Sequence, residues 1–302
     1  MEQRKVKPIL LSKDLNEYIS EQLNILYDDK LMANYLKELG ISVDLVEKYL
    51  DIFMDIHDDL KYCQNCPGIA KCSKKNPTLL VRPIIREDRI DRKLAVCHLL
   101  EKKLICEKKF IVRDFKDSII GKTIKNKSDL DITESRKASV TKFLSILEDN
   151  SSSWIYLYGS TKLGKSYMIA LFIQTLLENN ENATCAFLDS TSRIKELTDL
   201  SFTNKQMFNE LLEEYMNVDY LVLDDFGNEY KNEYIRDNII YPLLSYRSKE
   251  NKPVYFTSHY SISEIVTLYG ISASGKIRAR QLGDLIKTMA IKEIHLEGVK
   301  VY

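Results

Sequence analysis

From Trp154 onward, short apolar runs alternate with longer amphipathic stretches. The runs Trp154–Tyr158, Thr184–Leu188, Tyr220–Leu223, Val254–Thr257 and Ile291–Leu296 are mostly apolar, many of them β-branched or aromatic, as in strands covered on both faces. Between them the spacing is helical, as in Tyr167-Met-Ile-Ala-Leu-Phe-Ile-Gln-Thr-Leu-Leu. This alternation predicts an α/β fold with a parallel sheet and helices on both faces. The N-terminal part reads differently. Leu15, Tyr18, Ile19, Leu23 and Leu26 recur at helical spacing, and after a break at Gly40 so do Val43, Val46, Tyr49, Leu50 and Phe53. Helices are therefore expected from Leu11 to about Tyr62. A Pro- and Lys-rich segment follows, and from Lys108 to about Thr133 the pattern fades into polar residues such as Lys122-Thr-Ile-Lys-Asn-Lys-Ser-Asp. The expected organisation is a helical domain over 1–112, a linker over 113–133 and the α/β domain over 134–302, without internal repeats.

Within that pattern, the Trp154–Tyr158 run leads straight into Gly159-Ser160-Thr161-Lys162-Leu163-Gly164-Lys165-Ser166, followed by Tyr167 and a helical pattern. Strand, G-x-x-x-x-G-K-S/T and helix in that order form a phosphate-binding loop. Its glycines let backbone N–H groups turn inward around phosphates, and Lys165 reaches the β and γ oxygens. Ser166 offers a hydroxyl to Mg²⁺, and the helix start aims its positive dipole end at the anion. Residues 159–167 are thus expected to hold ATP. Lys162 stands where many such loops carry another glycine. The Tyr220–Leu223 run closes on Asp224 and Asp225. Asp224 is expected to hold Mg²⁺ through water and Asp225 to polarise the attacking water as general base.

Charge narrows the partners. Lys and Arg number 44, as do Asp and Glu, so no overall positive field draws the chain onto nucleic acid and any DNA contact must be local. No membrane span is visible, and the first residues have charges on both sides of a very short apolar run, unlike a secretory signal. A cytoplasmic protein with no membrane partner is expected.

Six cysteines are present, and they cluster: Cys63-x-x-Cys66, then Cys72 and Cys97, with Cys106 nearby and Cys185 in a core strand. In a reducing compartment grouped thiols read as metal ligands before disulfides. Four thiolates suit tetrahedral Zn²⁺, and Pro67-Gly68 supplies the turn after the first pair. Cys63, Cys66, Cys72 and Cys97 are the expected ligands, with His98 or Cys106 able to replace one.

These features together resemble the DnaI-type primosomal helicase loaders, AAA+ proteins of the initiator and loader clade. The resemblance runs over nearly the whole chain. It rests on Cys63-Gln-Asn-Cys66-Pro-Gly-Ile-Ala-Lys-Cys72, Leu157-Tyr-Gly-Ser with Gly164-Lys-Ser-Tyr, Leu221-Val-Leu-Asp-Asp-Phe-Gly, Tyr246-Arg247, Phe256-Thr-Ser-His259 and Ala279-Arg280. It implies a C-terminal AAA+ ATPase domain preceded by a helical zinc-binding domain that docks on the replicative hexameric DNA helicase. The implied task is ATP-dependent loading of that helicase onto single-stranded DNA at initiation or restart. Self-association through the AAA+ domain would let an arginine finger, Arg278 or Arg280 and less readily Arg247, reach a neighbour's nucleotide. The polar sensor falls on His259, where the family usually has Asn. Asp284 stands where a second arginine is usual, and a sensor-2 arginine is missing. The clade's extra DNA-facing helix falls at Thr191-Ser-Arg193-Ile-Lys195, making Arg193 and Lys195 candidate DNA contacts. Competing readings are a transposition-helper ATPase of the same clade and an ATP-switched regulator that does not hydrolyse.

Overall fold

The computed structural model describes residues 13–87, 89–125, 141 and 154–297. The chain divides into two compact units, Met1–Lys102 and Lys103–Tyr302. In the first, α1 (Lys13–Asp28), α2 (Lys30–Leu39), α3 (Val43–Lys48) and α4 (Leu50–Gln64) follow one another. Asp29 caps α2 by accepting from the amides of Leu31 and Met32 at 2.9 and 3.1 Å, and Gly40 ends it at φ 64°, a left-handed conformation that favours glycine. Leu26, Met32, Leu36, Val46, Ile52, Phe53 and Ile56 close into one buried core.

That unit is not wholly helical. β1 (Leu79–Arg86) and β2 (Arg89–Val96) form an antiparallel hairpin, which adds Val81 and Ile90 to the core. Pro83 hides the strand from a sequence reading, yet β1 has a partner on one side only, where a missing N–H is tolerated. Asp59 of α4 ties the hairpin down, accepting from the Val81 amide and from Lys74 Nζ, both at 2.7 Å. Asp59 thus joins α4, the hairpin and the Lys74 stretch that leads into it.

Helix α5 (His98–Lys108) leads into the second unit, where the six strands among the described residues are all parallel. They are β3 (Phe110–Arg113), β4 (Trp154–Tyr158), β5 (Cys185–Asp189), β6 (Tyr220–Phe226), β7 (Val254–Ser258) and β8 (Ala290–His295), in the order β3-β5-β6-β7-β4-β8. Side-chain alternation assigns the two faces. Ile155 and Leu157 pack with α6 (Lys165–Asn179). Trp154 and Tyr156 join a second core covered by α7 (Ser190–Thr203), α8 (Lys205–Asn217), α10 (Ile262–Tyr269), α11 (Ala273–Met289) and one helical run, α9. That run is Glu233–Ile235, a π-helical turn at Arg236–Ile240, and Tyr241–Lys249.

The expected boundary after residue 112 moves toward the N-terminus, because β3 pairs with β5. The described part of the expected linker is docked as well. Gln174 of α6 donates to the Ile119 carbonyl and accepts from the Gly121 amide, at 3.2 and 2.6 Å, and Thr175 accepts from the Ile124 amide at 3.0 Å. Polar composition concealed this because side chains of α6, not a run of apolar neighbours, satisfy the segment's backbone. Residues 126–133 of the expected linker, and the expected domain start at Glu134, lie outside the described residues. Among the described residues, no helix is long and apolar enough to cross a membrane.

Candidate nucleotide-binding site

The ends of β4, β6 and β7 meet at a cleft lined by Thr161, Lys162, Gly164, Lys165, Ser166, Tyr167, Asp224, Asp225 and His259, and on another side by Asp114, Phe115, Lys116 and Ile119. It lies at the carboxyl ends of parallel strands, where open α/β sheets place ligands. Gly159 sits at φ 146°, and a Cβ there would collide with the Leu296 carbonyl; only glycine fits. Gly164, at φ 80°, opens α6. Lys162 also lies in the left-handed region, at φ 65°, which explains why glycine suits that position and gives the lysine a local cost of about 1 kcal/mol. Leu163 differs from its neighbours: only 3% exposed, its side chain packs in the core below the loop, so only its backbone is available to a phosphate.

Lys165 is buried, and its Nζ donates to the carbonyls of Gly159 and Ser160 at 2.9 Å each. Burial lowers its pKa, and the charges of Asp225 and Asp224 oppose that shift. The ammonium therefore already lies within the loop that would wrap a phosphate.

The two aspartates sit where the β6–β7 register breaks, between Leu223 and Phe226. Thr257 of β7 serves both: its hydroxyl donates to Asp224 Oδ1 and accepts from the Asp225 amide at 2.9 Å. Asp225 is held at φ 53°, a conformation rare outside glycine and common at functional sites. Its Oδ1 lies 3.4 Å from His259 Nε2. Burial pushes the Asp224 carboxyl up to about 6, against hydrogen bonds from Thr257 and Ser166 that favour its ionised form, with Asp225 and Asp189 adding repulsion. Among the described residues no three His, Cys, Asp or Glu side chains are grouped to hold a metal ion. Mg²⁺ does not require such a group, since it takes one or two protein oxygens and completes its shell with phosphate and water. Ser166 and Asp224, already hydrogen-bonded to each other, are suitable oxygens.

A pH prediction follows for magnesium-dependent binding. The Asp224 pKa is raised on folding, so its contribution to stability is full below the unfolded value near 3.8 and is lost as pH rises through about 6. Cation binding runs the other way, because it needs the carboxylate. Magnesium-dependent nucleotide affinity should fall by about tenfold per unit of pH below about 6. Titrations of wild type and Asp224→Asn across that range check this, and a variant retaining the wild-type slope would refute it.

The arginines separate. Arg278 and Arg280 lie on exposed positions of α11, and Arg278 is 3.8 Å from Asp237; neither lines the cleft of its own chain. Arg247 is fully buried and donates to the carbonyls of Tyr215, Met216, Val218, Asp219 and Pro253 at 2.7–3.1 Å. It is a clamp inside the fold, which corrects its candidacy as a finger. Arg193 is engaged by Asp114 and Glu196, whereas Lys195 is exposed. Sequence reasoning gave Thr257 no role, although it stands in the Phe256-Thr-Ser-His259 stretch, and missed Asp114–Ile119, which belongs to no motif; both reach the cleft through sheet pairing.

In the N-terminal unit, Cys63, Cys66, Cys72, Cys97 and His98 line one small cavity. Backbone N–H groups of Thr78 and Lys74 lower the Cys72 pKa, burial raises that of Cys63, and the Leu100 amide donates to Cys97 Sγ at 3.4 Å. Four thiols around one cavity are a donor set suited to zinc, but they are not drawn together here as a ligand group. Cys106 belongs to the other unit, buried beside Gln174, with its pKa raised to about 11 by burial.

Residues 134–273 match the bacterial DnaA ATPase domain. Over 307 aligned residues, 94% of this chain and 93% of the relative, the chain is 24% identical to the replicative helicase loader DnaI of Bacillus subtilis (strain 168). A shorter match, 28% over 100 residues, covers 32% of this chain and 23% of the chromosomal replication initiator protein DnaA of Mycoplasma genitalium. A crystal structure of DnaI superposes with a TM-score of 0.52 at 24% identity, over 65% of this chain and 99% of that one, and shows the same fold. A Streptococcus pyogenes serotype M3 structure, described as a candidate primosome component, gives 0.51 at 24% identity over 67% and 100%. The chain is thus similar over nearly its whole length to a replicative helicase loader, and over about two thirds of its length it has the fold of DnaI.

Proposed function

We propose that this protein is an ATP-dependent loader of the replicative hexameric helicase onto single-stranded DNA. The observation that carries the reading is the convergence of Lys165, Ser166, Asp224, Asp225 and His259 on one cleft. In it the loop amides and Lys165 would hold the triphosphate, and Ser166 and Asp224 would hold Mg²⁺, whose charge would offset that of the phosphates. Asp225 accepts a proton from the attacking water, and His259 both holds that carboxylate and faces the cleft. Arg278 and Arg280, exposed on α11, would serve a neighbouring copy in a self-associated assembly, where a guanidinium stabilises the charge of the transferred phosphoryl group. The compartment that fits these partners is the cytoplasm.

The test is size-exclusion chromatography of the full chain with the host's replicative helicase, with and without ATP. Co-elution is expected, and an ATP-dependent rise in single-stranded DNA affinity should accompany it, falling steeply with salt. A chain that never co-elutes with the helicase rules out the loader reading.

The thiols lining one cavity also support a structural zinc site in the N-terminal unit. About one zinc per chain is expected in protein prepared without chelator. Cys63→Ser or Cys66→Ser should lose it and unfold that unit while ATP binding persists, because metal binding and local folding are coupled. Metal analysis and limited proteolysis decide this, and zinc-free protein with an intact N-terminal unit would overturn it.

A further inference from the structure

Asp114 follows β3 and joins the cleft to α7. It lines the same cleft as Lys165 and Asp224, and its carboxylate grips Arg193 of α7 in a two-point fork, Nε to Oδ2 at 2.8 Å and a terminal nitrogen to Oδ1 at 2.6 Å. The same Oδ2 accepts the Asp189 amide at 3.0 Å, while the Asp114 amide donates to the Phe187 carbonyl at 3.0 Å. Asp189 in turn caps α7 by accepting from the Ser192 amide at 2.8 Å, and it lies opposite Asp224 in the β5–β6 register. Phe115 fixes the segment from the other side, packed edge-on against Phe187 at 4.9 Å. The Asp114 side chain is 16% exposed and that of Arg193 30%, so the fork is screened less than a surface pair.

We propose that the Asp114–Arg193 fork is a latch that holds the start of α7 to the cleft wall and opens when a magnesium–nucleoside triphosphate enters. The proposal rests on the nucleotide reading of the cleft. A polyphosphate arriving beside Asp114 raises the negative potential at its carboxylate and competes with it for the guanidinium. Once the fork opens, α7 keeps its Asp189 cap but loses its tie to the cleft wall, and the Arg193 nitrogens that bound Asp114 are released. Glu196, one turn further on at 2.8 Å from Arg193, then holds the guanidinium over α7 itself.

The test is hydrogen exchange of residues 190–203 in the full-length protein, with and without magnesium and a non-hydrolysable ATP analogue. Fluorescent-nucleotide titration is run on the same samples. In wild type the analogue should raise exchange in the first turn of α7 by about tenfold, the loss expected for a charge-assisted pair. Asp114→Asn and Arg193→Lys should exchange at the raised rate without nucleotide, and the analogue should add nothing. Arg193→Lys keeps the charge and the Asp114–Asp189 bond, so it reports on the latch even if Asp114→Asn folds poorly. Wild type that binds the analogue with α7 exchange unchanged overturns the latch, as does wild-type exchange in nucleotide-free Arg193→Lys. Wild type that fails to bind the analogue refutes the nucleotide reading instead, and the nucleotide-free variants still decide whether the fork restrains α7.

Discussion

Lys165→Ala should lower ATP affinity by about a hundredfold or more, because removing one partner of a buried charge pair typically costs several kcal/mol. The fold should survive. Lys165 Nζ donates to the Gly159 and Ser160 carbonyls, bonds worth about 1 kcal/mol each in net stability. Asp225→Ala should behave differently, keeping ATP affinity within a few-fold while slowing hydrolysis by about a hundredfold or more, the usual contribution of a general base. The distinction follows from geometry: Lys165 is enclosed by the loop, whereas Asp225 is turned toward the cleft at φ 53° beside His259. Nucleotide titration and phosphate release measure the two quantities. Equal ATP affinity in wild type and Lys165→Ala would remove the phosphate-loop assignment.

Arg247→Met is expected to destabilise the C-terminal unit by about 3–5 kcal/mol, the usual penalty for breaking a buried charged network. Its guanidinium reaches carbonyls at the end of α8, the start of β6 and the start of β7, places where backbone acceptors leave helix and strand ladders without another partner. Methionine fills the volume but satisfies none of them. The only tryptophan, Trp154, reports on the same region, since its Nε1 donates to the Lys252 carbonyl at 2.9 Å. Denaturant titration followed by Trp154 emission should show a lower midpoint. An unchanged midpoint with lost hydrolysis would restore Arg247 as a finger and contradict the clamp.

Residue order alone makes legible those parts of the protein whose physics is local. Four of the parallel strands, β4 to β7, were legible because each is a short apolar run buried on both faces, whereas β8, also expected, sends Ile294 inward between exposed Glu293 and His295. The phosphate loop was legible because its chemistry demands glycine, lysine and serine at set intervals along one turn. Asp224 and Asp225 were legible because they end such a strand. The tertiary structure decided what depends on residues distant in sequence. β3 is a four-residue edge strand that becomes recognisable only by pairing with β5, and the hairpin of β1 and β2 is stabilised by Asp59 of α4 across the chain. Arg247, Arg193 and Arg278 are alike in sequence, each a basic residue on a helix. Only packing distinguishes them, since a guanidinium's role depends on the acceptors folding brings to it: five carbonyls for Arg247, the Asp114 carboxylate for Arg193, and for Arg278 a surface where the nearest carboxylate, Asp237, stands 3.8 Å away.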